Sequence, residues 1–140
     1  MLAVGAAFWL ASTGSQFDPG RPHLFFVLTV PCDADEQLIA NMASISALMP
    51  HDKACLLRPQ DHPAVVRPSY IRYDYARTAS RRNFEVWQLG HQMRPAEAAS
   101  VTLLQRIRSG LLRSGFAVPR LKEYLQEQLE REKTASAKTT

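Results

Sequence analysis

Apolar residues concentrate between Pro22 and Ser46 and predict the central hairpin of the fold. Residues 24–30 (LFFVLTV) are almost wholly apolar, and residues 37–45 (QLIANMASI) form a second, more mixed run. Between them residues 31–36 (PCDADE) have turn chemistry, since proline ends strand pairing and aspartate tolerates turn geometry. A strand that is apolar on both faces must be covered on both faces. The pattern therefore predicts that the rest of the chain packs around this hairpin.

Shorter apolar runs flank the hairpin and predict further strands. Residues 6–11 predict a first strand, followed by a loop over 12–20, and residues 54–57, 64–66 and 69–73 predict three short ones. In the last of these, Tyr70 and Arg72 point one way, and Ile71 and Tyr73 the other. Many short strands separated by turn signals are typical of a small closed or half-closed antiparallel sheet.

The pattern changes to a helical period in the last third of the chain. Residues 83–89 are ambiguous between strand and helix. Pro95 suits the first turn of a helix whose apolar residues recur at Val101, Leu104, Ile107 and Leu111, and Ser114 with Gly115 ends it. Pro119 begins another amphipathic helix. We thus expect a mainly β domain over residues 1–115 that includes one helix, a helical extension over 116–133, and a disordered tail over 134–140.

Charge is unevenly distributed along the chain, which indicates either a phosphate-containing partner or a solvated basic face. The net charge is +4, but residues 58–82 carry six arginines against Asp61 and Asp74. Arginine pairs bidentately with phosphate and stacks on bases, so a nucleic acid is a plausible partner. A solvated basic face is the alternative explanation of the same pattern.

Cysteine content and hydropathy bound the location of the protein. The two cysteines, Cys32 and Cys55, set no disulfide framework and fit free thiols in a reducing compartment. No segment is long enough to span a membrane, and the apolar start lacks the basic residues of a signal peptide. We expect a cytoplasmic protein that does not bind membranes.

Polar groups at one end of the hairpin are candidates for catalysis. Arg21 and His23 precede the first strand of the hairpin, and Ser44 and Ser46 end the second. In an antiparallel pair these ends are adjacent. A guanidinium, an imidazole and hydroxyl groups are what cleavage of RNA by its own 2′-hydroxyl requires. His51 with Asp52, and Asp61 with His62, are further acid–base candidates, although each histidine alone is more typical of a turn.

Common enzyme motifs are missing from the sequence. The histidines are not spaced four residues apart, and neither cysteine belongs to a CxxC pair, so no metal site is expected. The chain has neither a glycine-rich phosphate loop nor a G-x-S-x-G motif. We therefore expect no metal and no cofactor.

Several of these segments together resemble the MazF/PemK/Kid toxins of type II toxin–antitoxin pairs. The resemblance lies in the strand Gly5–Trp9, the following loop, Arg21-Pro22 with the apolar strand to Thr29, the hydroxyl-rich end Ala43–Ser46, and residues 69–77 (SYIRYDYAR). It covers roughly residues 5–112, and is strongest with MazF-like proteins that share an H-L-F-x-V-L-T strand and a D-H-P…S-Y segment.

The resemblance implies a fold, an activity and partners. The fold would be a small SH3-like antiparallel β-barrel of the MazF/PemK/CcdB kind with C-terminal helices, forming a homodimer. The activity would be metal-independent cleavage of single-stranded RNA, and the partners would include a cognate antitoxin.

The implied catalytic residues are Arg21 and Ser44, with Ser46 as a substitute. An ungapped alignment on Leu28-Thr29 instead places His23 where the family has its arginine. Residues expected to bind RNA are Arg67, Arg72, Arg77, His62 and Tyr70.

Three functional hypotheses follow. The first is a MazF-like endoribonuclease in which Arg21 binds phosphate, His23 transfers a proton and Ser44 orients the scissile group. The second is a non-catalytic barrel of the same fold that binds nucleic acid or a partner protein. The third is an interaction domain without a role in nucleic-acid binding. Cleavage that depends on Arg21 or His23, and binding that falls with salt, distinguish them.

Overall fold

The structure is a computed structural model that describes residues 1–11 and 22–139, with side chains up to residue 136. Within this part of the chain the strands are β1 (Ala7–Ala11), β2 (Pro22–Val27), β3 (Glu36–Ser44), β4 (Leu56–Leu57), β5 (Ser69–Ser80) and β6 (Met93–Ala96). The helices are α1 (Arg81–Leu89), α2 (Val101–Arg113) and α3 (Pro119–Thr139), and a short 3₁₀ turn covers Pro59–Asp61. The predicted class, mainly β with C-terminal helices, is confirmed.

The described strands form one curled antiparallel sheet, a half-barrel, with the order β4-β5-β3-β2-β1-β6. The predicted hairpin lies at its centre, with Phe26 opposite Ala40 and Val27 opposite Ile39. Pairing between β3 and β5 is irregular between Ile39 and Asn41, so that extra residues of β5 bulge out of the ladder. Such bulges bend and twist a strand, which suits a strand that follows a curled sheet.

Both faces of the central hairpin are buried, as the sequence predicts. The inner face carries Leu24, Phe26 and Ala40, and it packs against Ile107 of α2 and Leu125 of α3. The outer face of the hairpin carries Phe25, Val27 and Ile39, and it packs against α1. The cluster buried on this side (the outer cluster, as opposed to the inner cluster of the other face) comprises Phe8, Leu10, Phe25, Val27, Ile39, Ala79, Phe84 and Trp87. Burial of an apolar side chain of this size is worth about 1.5–3 kcal/mol, so the two clusters together hold the helices to the sheet.

One predicted strand and one predicted helix start are wrong. Residues 64–66 form a turn and a loop instead of a strand. The turn is closed by the Val65 amide, which donates to the His62 carbonyl oxygen at 3.0 Å. Pro95 lies in β6, opposite Phe8, and does not begin a helix. Proline lacks an amide hydrogen but is tolerated in an edge strand such as β6.

Capping residues define where the helices begin. The Ser100 hydroxyl accepts from the Leu103 amide at 3.1 Å at the start of α2, and Ser80 caps α1 in the same way through the Asn83 amide. The ambiguous residues 83–89 are thus helical. The predicted end of α2 at Ser114 and the start of α3 at Pro119 are confirmed.

Helix α3 is longer than the sequence predicts. It continues to Thr139, through residues for which the sequence predicts disorder. The Thr134 hydroxyl donates to the Glu130 carbonyl oxygen at 3.0 Å, and the alanines that follow favour helix. Leu121 and Leu125 lie in the same core as the sheet, so α3 is packed against the β domain. No helix in the described part of the chain is long and apolar enough to cross a membrane.

Candidate functional site

A cavity of about 510 Å³ lies at the end of the sheet where β2 begins and β3 ends. It contains two of the predicted catalytic residues, His23 and Ser44, and one predicted RNA-binding residue, Arg67. Its full lining is Trp9, Pro22, His23, Leu24, Met42, Ala43, Ser44, Ala64, Val66, Arg67 and Ser69. Arg21, a third predicted catalytic residue, lies outside the described residues. The start of β2 and the end of β3 thus border one cavity, next to each other as antiparallel pairing predicts.

Strand pairing positions the hydroxyl groups of the cavity. Ser44, the last residue of β3, pairs with Ser69, the first residue of β5. The buried Ser69 hydroxyl donates to the Arg67 carbonyl oxygen at 2.9 Å. This bond fixes the short loop before β5, and it holds the exposed Arg67 at the rim of the cavity.

His23 and Ser44 line the same cavity but belong to opposite faces of the sheet. His23 pairs with Leu10, which is part of the outer cluster, and its neighbour Leu24 belongs to the inner one. Ser44 follows Met42 by two residues, and Met42 packs against the inner cluster. Since strand residues alternate between faces, the imidazole of His23 is directed to the outer side, and Ser44 to the inner side. The cavity thus lies at the open end of the sheet, where both faces are accessible.

Ser46 and His62, two further predicted site residues, have roles in local structure. The exposed Ser46 hydroxyl accepts from the Leu48 amide at 3.2 Å, and Ser46 is not part of the cavity lining. His62 is buried, and its Nδ1 accepts from the Ala64 amide at 3.0 Å. Its Nε2 therefore carries the proton and donates to the Glu97 carbonyl oxygen at 2.6 Å. With both ring nitrogens engaged, His62 positions the loop that forms one wall of the cavity.

The remaining predicted RNA-binding residues, Tyr70, Arg72 and Arg77, lie on the outer face of β5. Arg72 pairs with Asp74 at 2.6 Å, and its guanidinium carbon lies 3.8 Å from the centre of the Tyr75 ring. The hydrogen bonds that Arg72 donates to the Asp74 carboxylate raise the pKa of Arg72 above its ordinary value. These contacts hold the guanidinium plane in one orientation.

Arg77 and Tyr70 make similar contacts with aromatic rings. Arg77 lies 5.3 Å from the centre of the Trp87 ring of α1, and burial lowers its pKa below the usual value. Tyr70 lies 5.3 Å from His51, measured between ring centres. The outer face of β5 is thus a strip of arginines and aromatic rings, which is separate from the cavity.

Two cavity residues, Trp9 and Ser69, were missed by the sequence argument. Trp9 was predicted only as part of the first strand, and Ser69 only as the start of another. Alternation along β1 gives a signal for Trp9, since Ala7 belongs to the inner cluster and Trp9 packs against it. The signal for Ser69 is its pairing with Ser44, which requires knowledge of the order of the strands.

The described residues of the cavity supply groups of the kinds that contact nucleotides. Arg67 supplies a cation for a phosphate, Trp9 a ring for a base, and Ser44 a hydroxyl. The described residues contain no group of three histidine, cysteine or acidic side chains arranged to hold a metal ion. Neither the models of known protein families nor the curated proteins compared with this chain match it.

Proposed function

We propose that this protein is an endoribonuclease that binds single-stranded RNA in the cavity between the start of β2 and the end of β3. The observation that carries the proposal is the presence of His23, Ser44 and Arg67 in the lining of one cavity. The curled sheet is compatible with an SH3-like barrel, and the resemblance to MazF/PemK toxins was based on the same strand ends. A homodimer and a cognate antitoxin are part of this proposal.

Each side chain of the proposed site has one role in the reaction. Arg67 binds a phosphate of the RNA, and Trp9 stacks on a base next to it. The imidazole of His23 takes the proton of the ribose 2′-hydroxyl, whose oxygen attacks the adjacent phosphorus. The bond from phosphorus to the 5′-oxygen breaks, and the His23 imidazolium passes its proton to that oxygen, which leaves a cyclic phosphate. Ser44 donates a hydrogen bond to the phosphate, and Arg21 neutralises the charge that develops on it.

RNA binding without cleavage is the second candidate function, and one observation favours it. His23 and Ser44 lie on opposite faces of the sheet. A base and a hydroxyl donor that act on one phosphate have to face the same point. Arg67 and Trp9 would still bind a nucleotide in that case, because binding needs no proton transfer.

The test is cleavage of a labelled single-stranded RNA in EDTA by the wild type and by single variants. We expect His23→Ala and Arg21→Ala to reduce the rate by about a hundredfold or more, the scale of a general base or a charge-stabilising group. We expect Arg67→Ala to weaken binding and to reduce its salt dependence by about one phosphate contact. Arg120→Ala, an exposed arginine of α3 outside the cavity, is the matched control.

The outcomes separate the two candidates. Cleavage in EDTA that is lost in His23→Ala and retained in Arg120→Ala supports the endoribonuclease. Binding of RNA at low salt without cleavage, weakened by Arg67→Ala, supports the non-catalytic alternative. A wild type that neither cuts nor binds RNA rejects both.

A further inference from the structure

A second, smaller pocket lies on the outer side of β5, beside the cavity. It has a volume of about 130 Å³ and is lined by Pro50, His51, Asp52, Tyr70, Arg72, Asp74 and Phe116. Ser69 lines the cavity and the next residue, Tyr70, lines this pocket. Adjacent strand residues point to opposite faces, so the two spaces are separated only by the end of β5.

Aromatic rings form the walls of the pocket. His51 and Tyr70 lie 5.3 Å apart at an angle of 48°, and Phe116 borders them with 65% of its surface exposed. Covering an exposed phenylalanine at the edge of a pocket is favourable, because its apolar surface is removed from water. His51, Tyr70 and Phe116 all line the pocket, so they border the space that a flat ring would occupy.

Hydrogen bonds hold these walls in place without a ligand. The Ser114 hydroxyl donates to the Asp52 carboxylate at 2.5 Å and accepts from the Phe116 amide at 3.1 Å. The loop that carries His51 is thereby tied to the loop that carries Phe116. Both Asp52 and Ser114 are buried, so the tie is shielded from water.

The charges of the pocket disfavour a phosphate and favour a hydrogen-bond donor. Two carboxylates, Asp52 and Asp74, line the pocket with a single guanidinium, that of Arg72. Asp52 is engaged by Ser114 and by the Ala54 amide, but the Asp74 carboxylate is 37% exposed and each of its oxygens can accept a second bond. A neutral ring with an amino group fits this arrangement better than an anion.

We infer that this pocket binds one unpaired cytosine of an RNA strand that continues from the cavity around the end of β5. The inference rests on the proposed function only in taking RNA as the partner. The volume holds a single ring and is far below the roughly 300–1,000 Å³ of sites for drug-sized ligands. The base stacks on Tyr70 and Phe116, and its exocyclic amino group donates to Asp74, a contact typical of acidic side chains with cytosine.

The test compares the binding of short oligomers of cytidine and of uridine, measured by fluorescence anisotropy in EDTA. Uracil has the same size but carries an oxygen where cytosine carries the amino group. We expect the wild type to bind the cytidine oligomer at least about fivefold more tightly. Phe116→Ala should weaken binding of that oligomer by about five- to a hundredfold, the effect of losing one base stack. Asp74→Asn should remove the preference for cytidine.

A second measurement tests binding in the pocket independently of phosphate binding in the cavity. Cytidine nucleoside is titrated while the NMR signals of the His51 and Phe116 rings are followed, so that no phosphate contact takes part. Val118→Ala, an exposed apolar residue outside the pocket lining, is the control and should bind like the wild type.

The results test the cytosine-binding inference and the proposed function separately. Ring signals that shift with cytidine, together with a preference lost in Asp74→Asn, support the inference even when RNA is not cut. RNA binding that depends on Arg67 but is unchanged in Phe116→Ala and equal for both oligomers overturns the inference and leaves the proposed function standing. A wild type that responds to neither RNA nor cytidine rejects both.

Discussion

The phenol of Tyr73 in β5 donates to the carbonyl oxygen of Ile107 in α2 at 2.7 Å, and its ring lies against Gly110 one turn later. Burial raises the pKa of Tyr73 well above its usual value, so the phenol keeps its proton. A β-carbon at Gly110 would overlap the Tyr73 oxygen and lie 3.1 Å from Cβ of Cys55. The glycine thus allows α2 to approach the sheet closely.

We expect Gly110→Ala to lower the free energy of unfolding by about 1–3 kcal/mol, the usual cost of overpacking. Alanine favours helix over glycine by about 1 kcal/mol, so a purely local effect would have the opposite sign. Urea denaturation measures the difference. In the double variant with Tyr73→Phe the overlapping oxygen is gone, and the cost of Gly110→Ala should become smaller. Equal costs in both backgrounds would contradict this account.

Arg108 joins α2 to the sheet and to α3. Its Nε donates to the Leu28 carbonyl oxygen at 2.8 Å, and its two terminal nitrogens donate to Glu132 at 3.0 and 2.9 Å. The Arg108 side chain is 12% exposed and that of Glu132 is 40% exposed. We expect Arg108→Met to lower stability by about 1–3 kcal/mol, because the buried carbonyl loses its donor. Glu132→Gln should cost less than about 1 kcal/mol, since water screens that pair.

Thermal and urea unfolding test whether Arg108→Met loses more stability than Glu132→Gln. Lys133→Ala is the control, because its exposed contact with Glu130 is 3.7 Å long and should contribute almost nothing. A larger loss of stability in Glu132→Gln than in Arg108→Met would contradict this order. It would show that the ion pair between α2 and α3 contributes more to stability than the bond from Arg108 to the Leu28 carbonyl oxygen.

Asp61 makes the stability of the fold depend on pH in the acidic range. Burial alone would raise its pKa, but the Arg58 amide at 2.8 Å and the Arg106 guanidinium at 2.8 Å hold the pKa below the usual value. The unfolded chain therefore binds a proton at a higher pH than the folded one. The stabilisation is complete above the unfolded pKa, and it is lost as the pH falls through the lower folded pKa.

We expect the wild type to lose more stability than Asp61→Asn between neutral and strongly acidic pH, by less than about 1 kcal/mol, because the pair is partly exposed. Urea titrations at a series of pH values give the comparison. Asp33→Asn, at an exposed residue of the β2–β3 turn, is the matched carboxylate-to-amide control. Parallel profiles of the wild type and Asp61→Asn would disprove the role of Asp61.

The two cysteines should differ in reactivity. Burial works to raise the pKa of the half-buried Cys32 thiol, but hydrogen bonds with Tyr124 and with backbone groups of Glu36 and Ala34 lower it overall. Burial raises the pKa of Cys55, which is 4% exposed. Because the thiolate is the reactive form, iodoacetamide should modify Cys32 in the folded protein, and Cys55 only in urea.

Mass spectrometry of peptides from samples taken at several reaction times shows which cysteine is alkylated first. Tyr124→Phe removes the hydrogen bond with Cys32, together with the one that the phenol donates to the Glu36 carbonyl oxygen at 3.0 Å. It should slow the alkylation of Cys32 without affecting Cys55. Faster alkylation of Cys55 in the folded state would show that the core near Gly110 opens.

Sequence pattern was sufficient for the elements that bury a continuous apolar surface. The hairpin around Phe26, the helix with Ile107 and the helix with Leu125 were predicted because their periods are unambiguous. Residues 93–96 were missed because they are a strand only through pairing with β1, more than eighty residues earlier. No local signal specifies such a pairing.

The candidate site was predicted in part for a similar reason. His23 and Ser44 were placed at one sheet end by the geometry of a hairpin, which is local. The faces of Arg72 and Arg77 were not predictable, because strict alternation would put residues five apart on opposite faces. Both lie on the outer face, since the irregular pairing between Ile39 and Asn41 shifts the register between them.

The position of β1 also determines when the protein can complete its fold. During synthesis β1 leaves the ribosome before the other described strands, and β2 is its first available neighbour. Its other neighbour, β6, follows only after α1 has been made. Pairings this distant in sequence form slowly, so a newly made chain spends time with one side of β1 unpaired and prone to aggregation. A chain that is truncated before residue 93 would keep that exposed edge permanently.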